Sequence, residues 1–176
     1  MEAGIDHMIE SEYRNCKNDG DQSNDQTGGK DLIGYFYERL DLPRKDIRSY
    51  SPLALAYIGD SVYDLLIRTE IVASGNGPVK NYHKQASSIV KADAQAAMIH
   101  VLLDELTEEE HEIFMRGRNA NSYTKAKNAT TGTYHRATGF EALLGYLYLT
   151  GQYERITDLI ILGRKKLSET DTGGTQ

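Results

Sequence analysis

Two carboxylates in this sequence stand where a carboxylate is costly. Asp60 lies inside Leu53–Ile67, a run that is apolar nearly all the way round a helix. Glu141 lies inside Phe140–Leu149 and is the only acid between Glu112 and Glu154. Helices of that composition belong to a core. An acid among apolar neighbours is neutralised by a proton, a cationic side chain or a metal ion. Small residues accompany both acids, Ala56 and Gly59 on the first segment, Gly139 and Gly145 on the second. Small residues let packed helices approach closely. If the segments cross, Asp60 and Glu141, 81 positions apart, can share one cation. Two hard oxygen ligands plus water suit Mg²⁺, which keeps several waters and takes one or two protein carboxylates.

The charge around these acids is uneven. Arg116 to Phe140 carries five bases (Arg116, Arg118, Lys125, Lys127 and Arg136) and no acid, while Asp104 to Glu112 just before it carries six acids. A carboxylate–metal pair beside a cationic segment is what phosphodiester chemistry needs. Each feature also has a plainer reading. A lone acid in a buried helix is commonly a structural acid paired with an arginine or a backbone group, and a basic loop rich in Gly and Asn is commonly a solvated connection. Asp64 stands one turn after Asp60 and four residues before Arg68, which favours a salt bridge. His83 and His100 are seventeen residues apart, form no local metal motif and read as partly buried polar residues. His135 sits in the basic region and can reach a phosphate. Cys16 is the sole cysteine, which excludes an intramolecular disulfide and an all-cysteine zinc site.

The elements that must position these groups read as helices. With 176 residues, 39% hydrophobic and 26% charged, one globular domain is expected. No apolar run is long enough to span a bilayer, and no signal peptide is visible, so a soluble, cytoplasmic protein is expected. Six helical segments are legible: Asp31–Leu40, a helix from Ser51-Pro52 to about Ala73, Val79 to about Leu103, Thr107 to about Arg118, Tyr134–Thr150 and Tyr153–Leu167. Ser51-Pro52 is an N-cap with proline at the first helical position, and Thr107 to Glu110 resembles a capping box. No segment alternates like a strand, so the class is all-α. Residues 1–29 are an acidic tail of net charge −5 and residues 168–176 a polar tail of net −2, which leaves +1 for residues 30–167. Both tails are expected to be disordered. The acidic total of −6 therefore says nothing against a polyanionic partner. Twelve tyrosines without a tryptophan suggest amphipathic packing, with Tyr57, Tyr63, Tyr146 and Tyr148 in the core or at a dimer surface.

Taken together, Leu53-Ala54-Leu55-Ala56-Tyr57-Ile58-Gly59-Asp60-Ser61-Val62-Tyr63 resembles the signature helix of the ribonuclease III family. The stretch Thr138-Gly139-Phe140-Glu141-Ala142-Leu143-Leu144-Gly145-Tyr146-Leu147-Tyr148-Leu149 resembles its second catalytic helix. Residues 30–167 are most similar to the Mini-III branch, which has the catalytic domain and no double-stranded-RNA-binding domain. Arg116-Gly117-Arg118-Asn119-Ala120 and His83-Lys84 also look like Mini-III positions. The resemblance implies a ribonuclease III-type helical endonuclease domain working as a homodimer. It implies Mg²⁺-dependent cleavage of double-stranded RNA, with Mn²⁺ able to substitute, leaving 5′-phosphate and 3′-hydroxyl ends. For Mini-III it implies maturation of the precursor of large-subunit (23S) ribosomal RNA, with a large-subunit ribosomal protein as a further partner. Asp60 and Glu141 match the signature acids, as catalytic and metal-holding residues.

The chain departs from the longer enzymes at three acids. Two further glutamates of the first helix are here Leu53 and Ala56, and an aspartate three residues before the second glutamate is Thr138. A single weak Mg²⁺ site completed by water and a phosphate oxygen is therefore expected. Duplex RNA is read through phosphates and 2′-hydroxyls across its shallow groove. The expected backbone contacts are Arg116, Arg118, Lys125, Lys127 and Arg136, with Asn119, Ser122, Asn128 and Thr130 at sugars or groove. The rival reading is a non-catalytic RNA-binding or ribosome-associated protein with the same fold, which the presence of both acids disfavours. A helical nucleotide phosphohydrolase would need a histidine–aspartate cluster, and no His-Asp pair occurs in the sequence.

Overall fold

In the computed structural model residues 32–120 and 131–172 are described. Among them are seven α-helices and no strand: α1 (Leu32–Arg39), α2 (Pro52–Ala73), α3 (Val79–Val90), α4 (Ala92–Leu102), α5 (Glu108–Arg118), α6 (Thr131–Leu149) and α7 (Tyr153–Thr172). The all-α expectation is met, with one helix more than the six expected. The extra helix comes from a break at Lys91, whose backbone is extended (φ −66°, ψ 151°). Its carbonyl accepts from the N–H groups of Ala94 and Gln95 at 3.0 and 3.1 Å and so starts the next helix. No proline or glycine marks this break. It turns the chain from α3, which packs on α2, to α4, which packs on α6 and α7.

The caps follow their local chemistry. Ser51 Oγ accepts from the Ala54 N–H at 3.1 Å, and Pro52 opens α2. Thr107 Oγ1 accepts from the Glu110 N–H, and the Glu110 carboxylate accepts from the Thr107 N–H at 2.8 Å, so the capping box is closed. α6 begins at Thr131, three residues before Tyr134. α7 runs on to Thr172, past Leu167 where the polar composition suggests a tail.

α6 is the axis of the fold. Its residues from Ala137 to Leu147 are buried apart from half-buried Glu141. α2, α4, α5 and α7 pack around it. Tyr63 of α2 meets Phe140 of α6 edge to face, with ring centroids 5.4 Å apart. α2 differs from expectation. It is not buried all round: Leu55, Ala56, Val62, Tyr63, Ile67 and Ile71 face the core, while Leu53, Tyr57 and Leu65 are exposed, Tyr57 to 81%. An apolar residue on this outer stripe gains nothing from the core of its own chain.

Candidate active site

α2 and α6 cross in backbone contact. A Cβ built on Gly59 would lie 1.8 Å from the Glu141 carbonyl oxygen, and one built on Gly145 would lie 2.0 Å from the Leu55 carbonyl oxygen. No side chain fits at either position. The close approach expected from the small residues is thus realised by Gly59 and Gly145. Gly139 faces a different neighbour, Phe114 of α5. Asp60 directly follows Gly59, and Glu141 is itself the contact residue, so the crossing carries both acids.

The two carboxyls sit in different surroundings. Asp60 is exposed, not buried as its sequence neighbours suggest, yet it lies low enough on the surface for desolvation to raise its pKa, helped by the charge of Asp64. Glu141 is half-buried. Desolvation, and next the negative charge of Asp60, push its carboxyl up to about 7, while the Gln95 side-chain amide pulls it back down. The crossing puts Asp60, next to Gly59, on the segment that meets Glu141, close enough for its charge to raise the Glu141 carboxyl. Burial is the larger cause of the Glu141 shift, and the charge of Asp60 adds to it.

Among the described residues neither acid pairs with a lysine or arginine. Asp64 does, with Arg68 Nε at 2.5 Å, as its spacing predicts. Glu110, which is buried, is held by Arg155 through two hydrogen bonds of 2.7 and 2.8 Å, and its pKa is lowered chiefly by that arginine. Glu110 therefore fits the plain reading of a buried acid, and Glu141 does not. The donor set fits a hard divalent ion that retains water: two carboxylates with no cationic partner among the described residues. Among the described residues no three His, Cys, Asp or Glu side chains converge. The positions that hold acids in the longer enzymes add no ligand. Leu53 points to solvent, Ala56 is buried, and the Thr138 hydroxyl is buried and donates to the Tyr134 carbonyl at 3.1 Å.

The basic residues divide. Arg118, Asn119, His135 and Arg136 line one pocket of about 330 Å³, with Gly132 at its wall. Arg116 is on another face of α5. It lines a cavity with Glu109, Glu112 and Tyr146, and its guanidinium donates to the Tyr50 carbonyl at 3.5 Å. Lys125, Lys127, Asn128, Ser122 and Thr130 lie outside the described residues. His83 and His100 are exposed, not partly buried as expected. Sequence reasoning missed two residues of consequence. Arg155 gives no local sign of its 45-residue reach to Glu110. Gln95 was legible as the one polar residue on a stripe with Ile99 and Leu102, four and seven residues on.

The model of the ribonuclease III domain family matches residues 53–152, a span that takes in both crossing helices apart from Pro52. The chain belongs to the ribonuclease III family. Within it, the relatives are Mini-III proteins. The Mini-ribonuclease 3 of Thermoanaerobacter sp. (strain X514) is 46% identical over 140 residues, 80% of this chain and 99% of that protein. The Mini-ribonuclease 3 of Enterococcus faecalis is 46% identical over 129 residues, 72% of this chain and 98% of that protein. A crystal structure of a Fusobacterium nucleatum protein superposes with a TM-score of 0.63 at 33% identity, covering 68% of this chain and 97% of that one. This Mini-III chain is accordingly an endoribonuclease, a hydrolase of phosphodiester bonds.

Proposed function

We propose that this ribonuclease cleaves double-stranded RNA with Mg²⁺ held between Asp60 and Glu141. The observation that supports the reading is the glycine-to-backbone crossing, where the segments bearing the two carboxylates touch and neither acid has a cationic partner among the described residues. A divalent ion bound there lowers the pKa of water and stabilises charge on the attacked phosphate. The protein's own part is positional. Asp60, open to solvent, offers an ionised oxygen from the mouth of the site. Glu141, rooted in the most buried helix, would supply the second oxygen, with its proton going to water as a bound cation favours the ionised carboxylate. Arg118, Asn119 and Arg136 take backbone phosphates and sugars in the pocket at the start of α6. Arg116, committed to the Tyr50 carbonyl and flanked by two glutamates, contributes less to that binding.

The working unit in this reading is a homodimer of the 30–167 domain. The exposed apolar stripe of α2 borders a groove of about 240 Å³ lined by Ile58, Val62, Leu65, Tyr148, Tyr153 and Ile156, almost wholly apolar. A second copy covering this face would place two sites under one two-fold axis, one for each strand of a duplex. The cellular substrate we assign is the precursor of large-subunit 23S ribosomal RNA, matured in the cytoplasm with a large-subunit ribosomal protein as helper.

The test incubates the purified chain with a perfect RNA duplex and with its single strands, in Mg²⁺, in Mn²⁺ and in EDTA. The expected result is metal-dependent cleavage of the duplex alone, leaving 5′-phosphate and 3′-hydroxyl ends. Asp60→Asn should fold as the wild type and lose cleavage. Wild-type cleavage rates from that variant would refute the assignment of the pair.

A further inference from the structure

Five residues of α4 are buried: Gln95, Ala96, Met98, Ile99 and Leu102. Four are apolar and fill the space between α4, α6 and α7. Gln95 is 1% exposed and is the exception. Its amide nitrogen is buried, and no hydrogen-bond partner stands at ordinary distance. A buried amide donor without an acceptor is rare in native proteins because the desolvation goes unrepaid. α4 packs directly on α6, and the group this buried amide bears on across that contact is the Glu141 carboxyl. The donor thus waits beside the one half-buried acid that lacks a cationic neighbour among the described residues.

The choice of side chain has a chemical logic. The fold already shows what an arginine does to a buried glutamate: Arg155 grips Glu110 with two hydrogen bonds and removes its charge from play. Such a partner on Glu141 would compete with any incoming cation. A glutamine donates two N–H groups and carries no charge. It can orient a carboxylate and favour its ionised form while leaving the full negative charge available to a divalent ion. A methionine or leucine would fill the same volume on this stripe without a buried donor. Packing therefore does not account for the amide.

We propose that Gln95 is a positioning residue for Glu141: its buried side-chain amide donates to the Glu141 carboxylate, or to a water that this carboxylate shares with a divalent ion, and fixes the oxygen that the ion meets. The inference rests on the metal-dependent reading given above. Outer partners of metal-holding carboxylates change ion affinity or rate by roughly 10–100-fold.

The experiment uses the full chain. Mg²⁺ binding is measured by calorimetry for wild type and Gln95→Met, alongside cleavage rates as a function of Mg²⁺ and of RNA. The expected result is a Mg²⁺ half-saturation raised roughly tenfold with KM for RNA unchanged, since Gln95 touches no RNA. Wild-type cleavage that depends on Mg²⁺, with an identical half-saturation in Gln95→Met, overturns the role of Gln95 and leaves the reaction standing. A wild type that neither binds Mg²⁺ nor cleaves with it overturns both. A second measurement needs no folded variant. In ¹⁵N-labelled wild type, the Gln95 side-chain amide resonances should shift on adding Mg²⁺ and become slow to exchange with solvent. If they stay fixed while backbone signals of Asp60 and Glu141 move, the proposal fails.

Discussion

Replacing Glu141 with glutamine should stabilise the metal-free protein at alkaline pH. The carboxyl titrates near 7 in the fold against an ordinary value of 4.5. At 1.36 kcal/mol per pKa unit the gap is about 3 kcal/mol. Its sign is fixed by the direction. A carboxyl whose pKa is raised by folding contributes its full stability below the unfolded pKa, and loses it as pH climbs through the folded one. The loss should therefore develop between 4.5 and about 7 and level off above. Glu141→Gln keeps the shape and never ionises. Urea unfolding in EDTA should show the variant equal to wild type at about pH 4 and about 2–3 kcal/mol more stable at about pH 8. Saturating Mg²⁺, at about 100 times its Kd, should return about 2.7 kcal/mol to the wild type alone. The variant should also be inactive. A pH-independent difference, or a wild type that is the more stable at pH 8, would refute the reasoning. It would mean that the charge of Glu141 is already satisfied within the chain.

Arg155→Ala should cost about 2–4 kcal/mol, because it strands the Glu110 carboxylate in the core, and adding Glu110→Gln should recover part of the loss in the same denaturation assay. The lowered pKa of Glu110 means that its contribution is present above the ordinary carboxyl range and fades as pH falls, so Arg155→Ala should matter least in acid. Gly59→Ala forces a Cβ into the Glu141 carbonyl and should cost about 3 kcal/mol or more, with Mg²⁺ binding by calorimetry lost before the fold is. Arg118→Ala and Arg136→Ala should each reduce the slope of log affinity against log salt by about 1 in duplex-binding titrations, with Arg116→Ala reducing it less. Leu65→Lys should convert a dimer to a monomer in sedimentation, while the helical circular dichroism remains.

What could be read in advance was whatever is local. Ser51-Pro52 and Thr107 to Glu110 act within one turn, so their caps were visible and formed as expected. The crossing was also readable, because only small residues permit it and because an acid in an apolar run must answer to something outside that run. What escaped notice depends on direction in space. The break at Lys91 has no breaker residue and follows from where α3 and α4 find partners. The exposure of Asp60 escaped because the apolar outer stripe of α2 resembles core in composition. Arg116 and Arg118 lie two residues apart, and that spacing sends them to opposite sides of α5, a separation hidden by counting bases along the chain.

The contact of Gly59 and Gly145 with peptide carbonyls makes the spacing of the proposed catalytic pair a property of main-chain thickness. Leucines and tyrosines elsewhere can drift in size over many generations, and the gap between the two acids will hold. The same arrangement leaves evolution no gradual path at those two glycines: any added carbon is felt at once by the chemistry.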